Sequence, residues 1–276
     1  MKNFLRIIYN TLPIFYQESF FKEFITKVYF YAGFPYYLIC NILNRPYIGS
    51  YLFSDQEAGR KRLKVINDCL KKIKNKKISI LEIGVYCGQN TLNLYKNLKN
   101  KNKIFHYCVD IFRAFEITQR NEKTFIHKKI CECLNNGQVY KLFIKNISSI
   151  SNPDYQFIIK KMLSKNFFKL NKSKFDLIIV DASHQYKYVF NDIKNSLKNL
   201  NDNGILICDD YEIEAKNFTS DELKKYLEKD TLLFENKCIY HPGVTLAVKN
   251  IFGNLKSKNG ICAIQKRKKL YKDLFK

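Results

Sequence analysis

From Lys61 onward the chain alternates between short, nearly unbroken apolar runs and longer segments with helical spacing, and this alternation restricts the fold more than any other feature. Apolar runs of five to seven residues, without a polar residue at every second position, suit strands covered on both faces. Strands separated by helices suit a parallel sheet. Ile78–Ile83, Ile104–Asp110, Val139–Ile144, Phe175–Asp181, Gly204–Cys208 and Ile261–Gln265 read as strands. Helices are predicted over Leu63–Ile73, Gln89–Leu98, Glu116–Leu134, Asp154–Leu163, Tyr186–Leu197 and Pro242–Phe252. The clearest has Tyr186, Val189, Phe190, Ile193 and Leu197 on one face, at steps of three and four. Asn152-Pro153 reads as a helix start, with Asn152 as cap and Pro153 at the first position. The expected fold is therefore α/β and Rossmann-like, with a mainly parallel sheet and helices on both faces.

In such sheets ligands bind beyond the carboxyl ends of the strands, so the residues that follow each strand carry the functional information. The first strand runs into Glu82-Ile83-Gly84-Val85-Tyr86-Cys87-Gly88, where Gly84 and Gly88 bracket a tight turn before a helix. The spacing differs from the G-x-G-x-x-G of dinucleotide oxidoreductases. The second strand ends in Asp110, a position suited to a ribose diol. The fourth ends in Asp181-Ala182-Ser183-His184 and the fifth in Asp209-Asp210-Tyr211. If these strands are neighbours, Asp181, Asp209 and Asp210 converge with His184. Hard oxygen ligands of this kind suit Mg2+, with Mn2+ or Ca2+ as less specific fits. His184 is the natural general base near neutral pH. A plainer alternative has Asp181 and Ser183 capping the next helix, with His184 in its first turn.

Together these segments resemble the class I S-adenosylmethionine-dependent methyltransferases. V-D-A-S-H-Q-Y, N-G-I-L-I-C-D-D-Y and H-P-G-V-T-L-A-V resemble more closely the subfamily that includes macrocin-type sugar O-methyltransferases. The likeness covers residues 78–266. It implies a seven-stranded sheet with the last strand antiparallel. It implies that Glu82, Gly84 and Gly88 line the methionine and ribose part of the cofactor, that Asp110 holds the ribose hydroxyls, and that Asp181 also borders the cofactor. A loop after the third strand, at Asn146–Ser148, would flank the adenine, with Ser148 as a contact. Asp181, Asp209 and Asp210 would hold Mg2+, and His184 with Asp181 would be catalytic. Ala182, Lys187 and Asn146 depart from the family's commoner residues. The activity implied is O-methylation of a sugar or other polyhydroxylated small molecule with divalent-cation assistance. The alternatives are a nucleic-acid methyltransferase that uses the basic surface and a non-catalytic, membrane-associated binding protein.

Charge bears on that choice. The chain has 48 Lys and Arg against 25 Asp and Glu, a formal charge of +23. Most of the excess is Lys, whereas bidentate contacts to bases and phosphates favour Arg, so nucleic acid is not the expected partner. The nine cysteines form no disulfide or zinc framework and read as reduced thiols of a cytoplasmic protein. Residues 1–60 are nearly neutral and hold 16 of the 41 Phe and Tyr residues. They are expected to form a helical cap or interaction segment ahead of a methyltransferase domain at 61–276. Such a segment could form a dimer face or touch a membrane peripherally, and a homo-oligomer is expected. The 29 residues of Glu212–Tyr240 are long for a loop and read as a lid or a small helical insertion, with surface decoration as the plainer alternative.

Overall fold

The computed structural model describes residues 20–55, 59–100, 103–114, 125–227, 231–234, 238–267 and 270–275. In chain order the elements are α1 (Phe20–Ala32), α2 (Phe34–Ile42), α3 (Gly59–Leu70), β1 (Lys77–Ile83), α4 (Gln89–Leu98), β2 (Lys103–Asp110), α5 (Phe125–Asn135), α6 (Gln138–Ser148) and β3 (Tyr155–Lys161). There follow α7 (Ser164–Leu170), β4 (Phe175–Val180), α8 (Tyr186–Asn199), β5 (Leu200–Cys208), α9 (Ser220–Lys224), β6 (Leu232–Phe234), β7 (Cys238–Tyr240), α10 (Pro242–Phe252), β8 (Cys262–Arg267) and β9 (Leu270–Asp273). The chain divides into two compact units. One comprises residues 1–57, 86–92 and 112–151, and the other residues 58–85, 93–111 and 152–276.

The second unit holds a seven-stranded sheet in the order β3-β2-β1-β4-β5-β8-β9. β1 to β5 run parallel, β8 runs antiparallel to β5, and β9 antiparallel to β8. Two apolar layers explain why the buried stretches of the central strands are nearly unbroken apolar runs. Ile78, Ile80, Leu177, Ile179, Ile205 and Ile207 pack on one face with Val65, Ile66 and Leu98. Leu81, Ile83, Ile178, Val180, Leu206 and Cys208 pack on the other with Val189, Ile193 and Val248. Alternate residues of each strand thus enter opposite layers, which is the period-two geometry of a pleated strand. Register then sets the site. Ile83 stands opposite both Val109 and Val180, and Val180 opposite Cys208. The next residues, Gly84, Asp110, Asp181 and Asp209, therefore emerge level at one edge. β1 is also where the strand order reverses, with β2 on one side and β4 on the other.

Two expectations fail in the segment between β2 and β4. Val139–Ile144 is not a strand but part of α6. The buried residues Val139, Leu142, Phe143, Asn146 and Ile147 fall at steps of three and four, and this longer helical period outweighs the β-prone run at its centre. Asp154–Leu163 is not a helix but contains β3, whose Tyr155–Lys161 pairs residue for residue with Ile104–Asp110. Asn152 forms a turn, its Oδ1 accepting the Asp154 N–H at 2.9 Å, rather than a helix cap. Of the helix expected at Glu116–Leu134, Phe125–Asn135 is helical and residues 115–124 lie outside the described residues. β9 and the short hairpin β6–β7 were not anticipated.

In the first unit, Phe30 packs among Tyr31, Tyr51, Phe53 and Phe125. Asn146 ties the unit together. Its Oδ1 accepts the Tyr47 N–H at 2.7 Å, and its Nδ2 donates to Tyr47 O and Cys87 O at 3.0 and 2.8 Å. Residues 1–19 and 56–58 of the expected cap lie outside the described residues. No described helix is long and apolar enough to cross a membrane. Eight cysteines are buried and free, and the side chain of Cys238 lies outside the described ones.

One buried acid gives a stability test. Asp192 lies on the buried face of α8 and is 4% exposed. Burial pushes its carboxyl up to about 6, against a hydrogen bond with Ser164 that lowers it. The folded state then holds the proton to higher pH than the unfolded chain, so this group's contribution to stability is greatest below about pH 4 and is lost as pH rises to 6. A proton held about a hundredfold more tightly in the folded chain than in the unfolded one corresponds to about 2–3 kcal/mol. Asp192→Asn is therefore expected to gain about 2 kcal/mol over the wild type at pH 8 and nothing at pH 4, read by urea denaturation at both values.

Candidate active site

β1 leaves the sheet at Gly84, whose N–H donates to Val109 O at 2.9 Å. Gly84 adopts φ +84°, and a Cβ there would lie 1.9 Å from the carbonyl oxygen of Asp181. The loop after β1 therefore passes directly against the loop after β4, which only glycine permits. Asp110 closes β2, and its Oδ2 accepts the Val85 N–H at 2.9 Å. This bond fixes a carboxylate at the strand end next to the glycine turn. A carboxylate there has the acceptor chemistry that a vicinal diol requires, and it fits the ribose of the expected cofactor.

Glu82 lies deeper than the sequence suggests. It is 0% exposed within β1, with Oε2 3.0 Å from His106 Nε2. His106 Nδ1 lies 2.9 Å from the Tyr155 hydroxyl. Sequence reading did not find this buried Glu82-His106-Tyr155 chain, because its members come from three strands.

Gly88 and Ser148 belong to the other unit. Gly88 opens α4, its carbonyl accepting the Leu92 N–H at 2.9 Å. Ser148 is not in a loop after the third strand. It ends α6 on the surface, its Oγ donating to Lys145 O at 3.1 Å. The correction follows from the misread strand, because the residues that do follow β3 are Met162 and Leu163.

The ends of β4 and β5 gather the expected acids. Asp181 N–H donates to Ile83 O at 2.9 Å and Asp209 N–H to Val180 O at 3.0 Å. Asp210 adopts φ +59°, which turns its side chain out of the strand direction. Its Oδ2 lies 2.9 Å from His184 Nε2. His241, at the cap position of α10, has its ring centroid 4.0 Å from that of His184 and its Nδ1 3.1 Å from Glu212 Oε2.

Arg62, from α3, crosses this group. Its Nη1 lies 2.7 Å from Asp209 Oδ1 and 2.8 Å from Asp210 Oδ1, and its Nη2 lies 2.8 Å from Glu212 Oε1. Sequence reading missed Arg62, which stands 148 positions from Asp210. Only its being one of few arginines in a lysine-rich chain was a signal.

The electrostatics divide the acids. Burial lifts the Asp181 carboxyl well above the usual range, and the Asp209 and Asp210 charges add to the shift. Burial and the Asp210 charge push Asp209 up to about 7 against the pull of Arg62. Asp210 is also buried, but the His184 charge and hydrogen bond, with His241 and Arg62, outweigh burial and hold it well below the carboxylate range. Asp210 is thus the acid that stays ionised beside His184. Among the described residues, His184, Asp210 and His241 have ligand atoms within 4.8 Å of one another, as do Glu82, His106 and Cys108.

The comparisons with known proteins agree with this geometry. Residues 81–211 match the family model for a methyltransferase domain. No curated protein matches the sequence. Among solved structures, the O-methyltransferase NovP is 14% identical, with a TM-score of 0.51 over 75% of this chain and 80% of NovP. That likeness establishes a shared fold. Weaker likenesses include the calicheamicin methyltransferase CalS11, at 10% identity and a TM-score of 0.43 over 72% of this chain and 73% of that one. TomG from Streptomyces achromogenes is 12% identical, with a TM-score of 0.35 over 55% of this chain and 54% of that one. The matched segment runs from β1 to the end of β5 and so contains every strand end that forms the mouth. Residues 81–211 are thus similar to a methyltransferase domain, on a sheet whose fold NovP shares.

Proposed function

We propose that the chain methylates a hydroxyl oxygen of a sugar or other polyhydroxylated small molecule. The observation that carries this reading is the His184–Asp210 pair, 2.9 Å apart at the ends of β4 and β5. O-methylation needs a group that removes a hydroxyl proton as the oxygen becomes nucleophilic. If His184 donates Nε2–H to Asp210, its lone pair stands on Nδ1, and that nitrogen accepts the proton. The ionised Asp210 orients the ring and stabilises the imidazolium that forms. When bound, S-adenosylmethionine supplies a sulfonium methyl as the electrophile. Gly84 and Asp110 would hold the cofactor, and Glu82 would support them from within the sheet. Asp181 stands level with Asp110 and would face the reacting groups. Much of the rate would come from aligning the oxygen with the methyl.

The expected cation requires displacement chemistry. Mg2+ at Asp181, Asp209 and Asp210 would compete with the Arg62 guanidinium for two of its three carboxylates. Residues 212–240 remain the candidate lid, now seen as a helical turn, α9 and the β6–β7 hairpin, with 228–230 and 235–237 outside the described residues.

Two measurements test this. Calorimetry should show S-adenosylmethionine binding to the full chain, weakened about 10- to 100-fold in Asp110→Ala, since a charged hydrogen bond contributes about 1.5–3 kcal/mol. A methyl-transfer screen with labelled cofactor should find acceptors among glycans and lipid-linked sugars. Transfer to RNA alone, with strongly salt-dependent binding, would replace the small-molecule reading.

A further inference from the structure

We propose that Arg62 is the resident cation of the mouth, holding Asp209, Asp210 and Glu212 together in place of the divalent ion that an acid cluster of this kind invites. The consequence for catalysis rests on the proposed methyl transfer, whereas the charge chemistry stands without it.

Three observations lead here. First, Arg62 Nη1 lies between Asp209 Oδ1 and Asp210 Oδ1 at 2.7 and 2.8 Å, while Nη2 takes Glu212 Oε1 at 2.8 Å. One planar fork thus serves three carboxylates, a geometry that a point-charge ammonium cannot reproduce. Second, both Asp210 oxygens are engaged, Oδ1 by Arg62 and Oδ2 by His184 Nε2 at 2.9 Å. Asp209 Oδ1 also accepts the Asp210 N–H at 2.9 Å. Mg2+ requires near-octahedral oxygen ligands at about 2.1 Å and would have to break these contacts first. Third, Arg62 is not a loose surface side chain. It is 13% exposed, and the helix that carries it is anchored by Val65 and Ile66, each 1% exposed beneath the sheet. Leaving the cluster would return the guanidinium to water but would strand buried carboxylates, which a divalent ion would then have to satisfy.

Arg62 therefore acts as a positioning residue. It fixes Asp210, and through Asp210 it fixes the His184 ring. Removing it should expose a genuine cation site, because the carboxylates remain while their counter-charge is lost.

Mn2+ titration followed by electron paramagnetic resonance on the full chain tests this. The wild type should bind no Mn2+ stoichiometrically at submillimolar concentration, and its turnover should be unaffected by EDTA. Arg62→Ala should gain one Mn2+ site at least about tenfold tighter than any in the wild type, and Arg62→Lys should not. A folded Arg62→Ala chain that gains no site overturns the proposal. So does stoichiometric Mn2+ binding by the wild type that is lost in Asp210→Asn, or Zn2+ binding by the wild type that is lost in His241→Ala. The wild-type titration decides the matter even if Arg62→Ala does not fold. Absence of S-adenosylmethionine binding in calorimetry would defeat the methyl-transfer reading alone and leave the Mn2+ result standing.

Discussion

Gly84→Ala is expected to lower the melting temperature by about 10 °C and to abolish S-adenosylmethionine binding. Two penalties add. An alanine at φ +84° carries about 1–2 kcal/mol of left-handed strain. Its Cβ would also sit 1.9 Å from the Asp181 carbonyl oxygen, so the backbone after β4 must move, at about 1–3 kcal/mol. The sum is about 2–5 kcal/mol, and each kcal/mol shifts the transition of a chain this size by about 2–4 °C. The movement would also displace Asp181 from the row it shares with Asp110 and Asp209. Gly137→Ala separates the two penalties. Gly137 has φ +77° but nothing within 4 Å of the added Cβ, so only the conformational cost applies, about 1 kcal/mol. Scanning calorimetry of both variants decides it, and equal melting points would show that the β1–β4 contact is not as tight as the geometry requires.

His184→Ala should reduce kcat by about 10²–10⁴, the usual contribution of a positioned general base, with the affinity for S-adenosylmethionine unchanged. The ring stands on the loop after β4 whereas Asp110 closes β2, so its loss is expected to remove a proton acceptor and to spare the proposed cofactor contacts. Asp210→Asn should cut kcat less, because the amide can still hold the ring but no longer stabilises the imidazolium. A histidine that merely packs against His241, at 4.0 Å between centroids, would leave kcat almost untouched. Full turnover by His184→Ala near neutral pH would end its assignment as the base.

How far the fold could be read in advance depended on how local the signal was. Leu177–Val180 of β4 and Gly204–Cys208 of β5 are apolar throughout, and β1 nearly so, because helices cover both faces, and that property is visible in the residues themselves. The segment from Gln138 to Lys161 misled because it mixes β-prone and amphipathic residues. Val139–Ile144 looks like a strand over six residues and like a helix over eleven. Tyr155–Lys161 becomes a strand because β2 offers a full row of backbone partners, and no property of the heptapeptide announces that row. The same misreading placed Ser148 in a loop, whereas it ends α6.

The carboxyl-end residues Gly84, Asp110, Asp181, His184, Asp209 and Asp210 were legible one by one, because each follows a recognisable strand. Their alignment was implied by the parallel order and is set by the register of Ile83 with Val109 and Val180. What no linear pattern contained was the charge partner of each. Arg62 reaches Asp210 across 148 positions, His241 reaches Glu212 across 29, and Glu82 reaches His106 across 24. The sequence by itself determined the alternation, the two covered faces and the strand edge at which chemistry would occur, because periodicity and turn residues are local properties. The tertiary structure alone decided which acid stays ionised and which cation sits among the carboxylates. Those outcomes depend on burial and on distances between side chains that only the packed fold brings together.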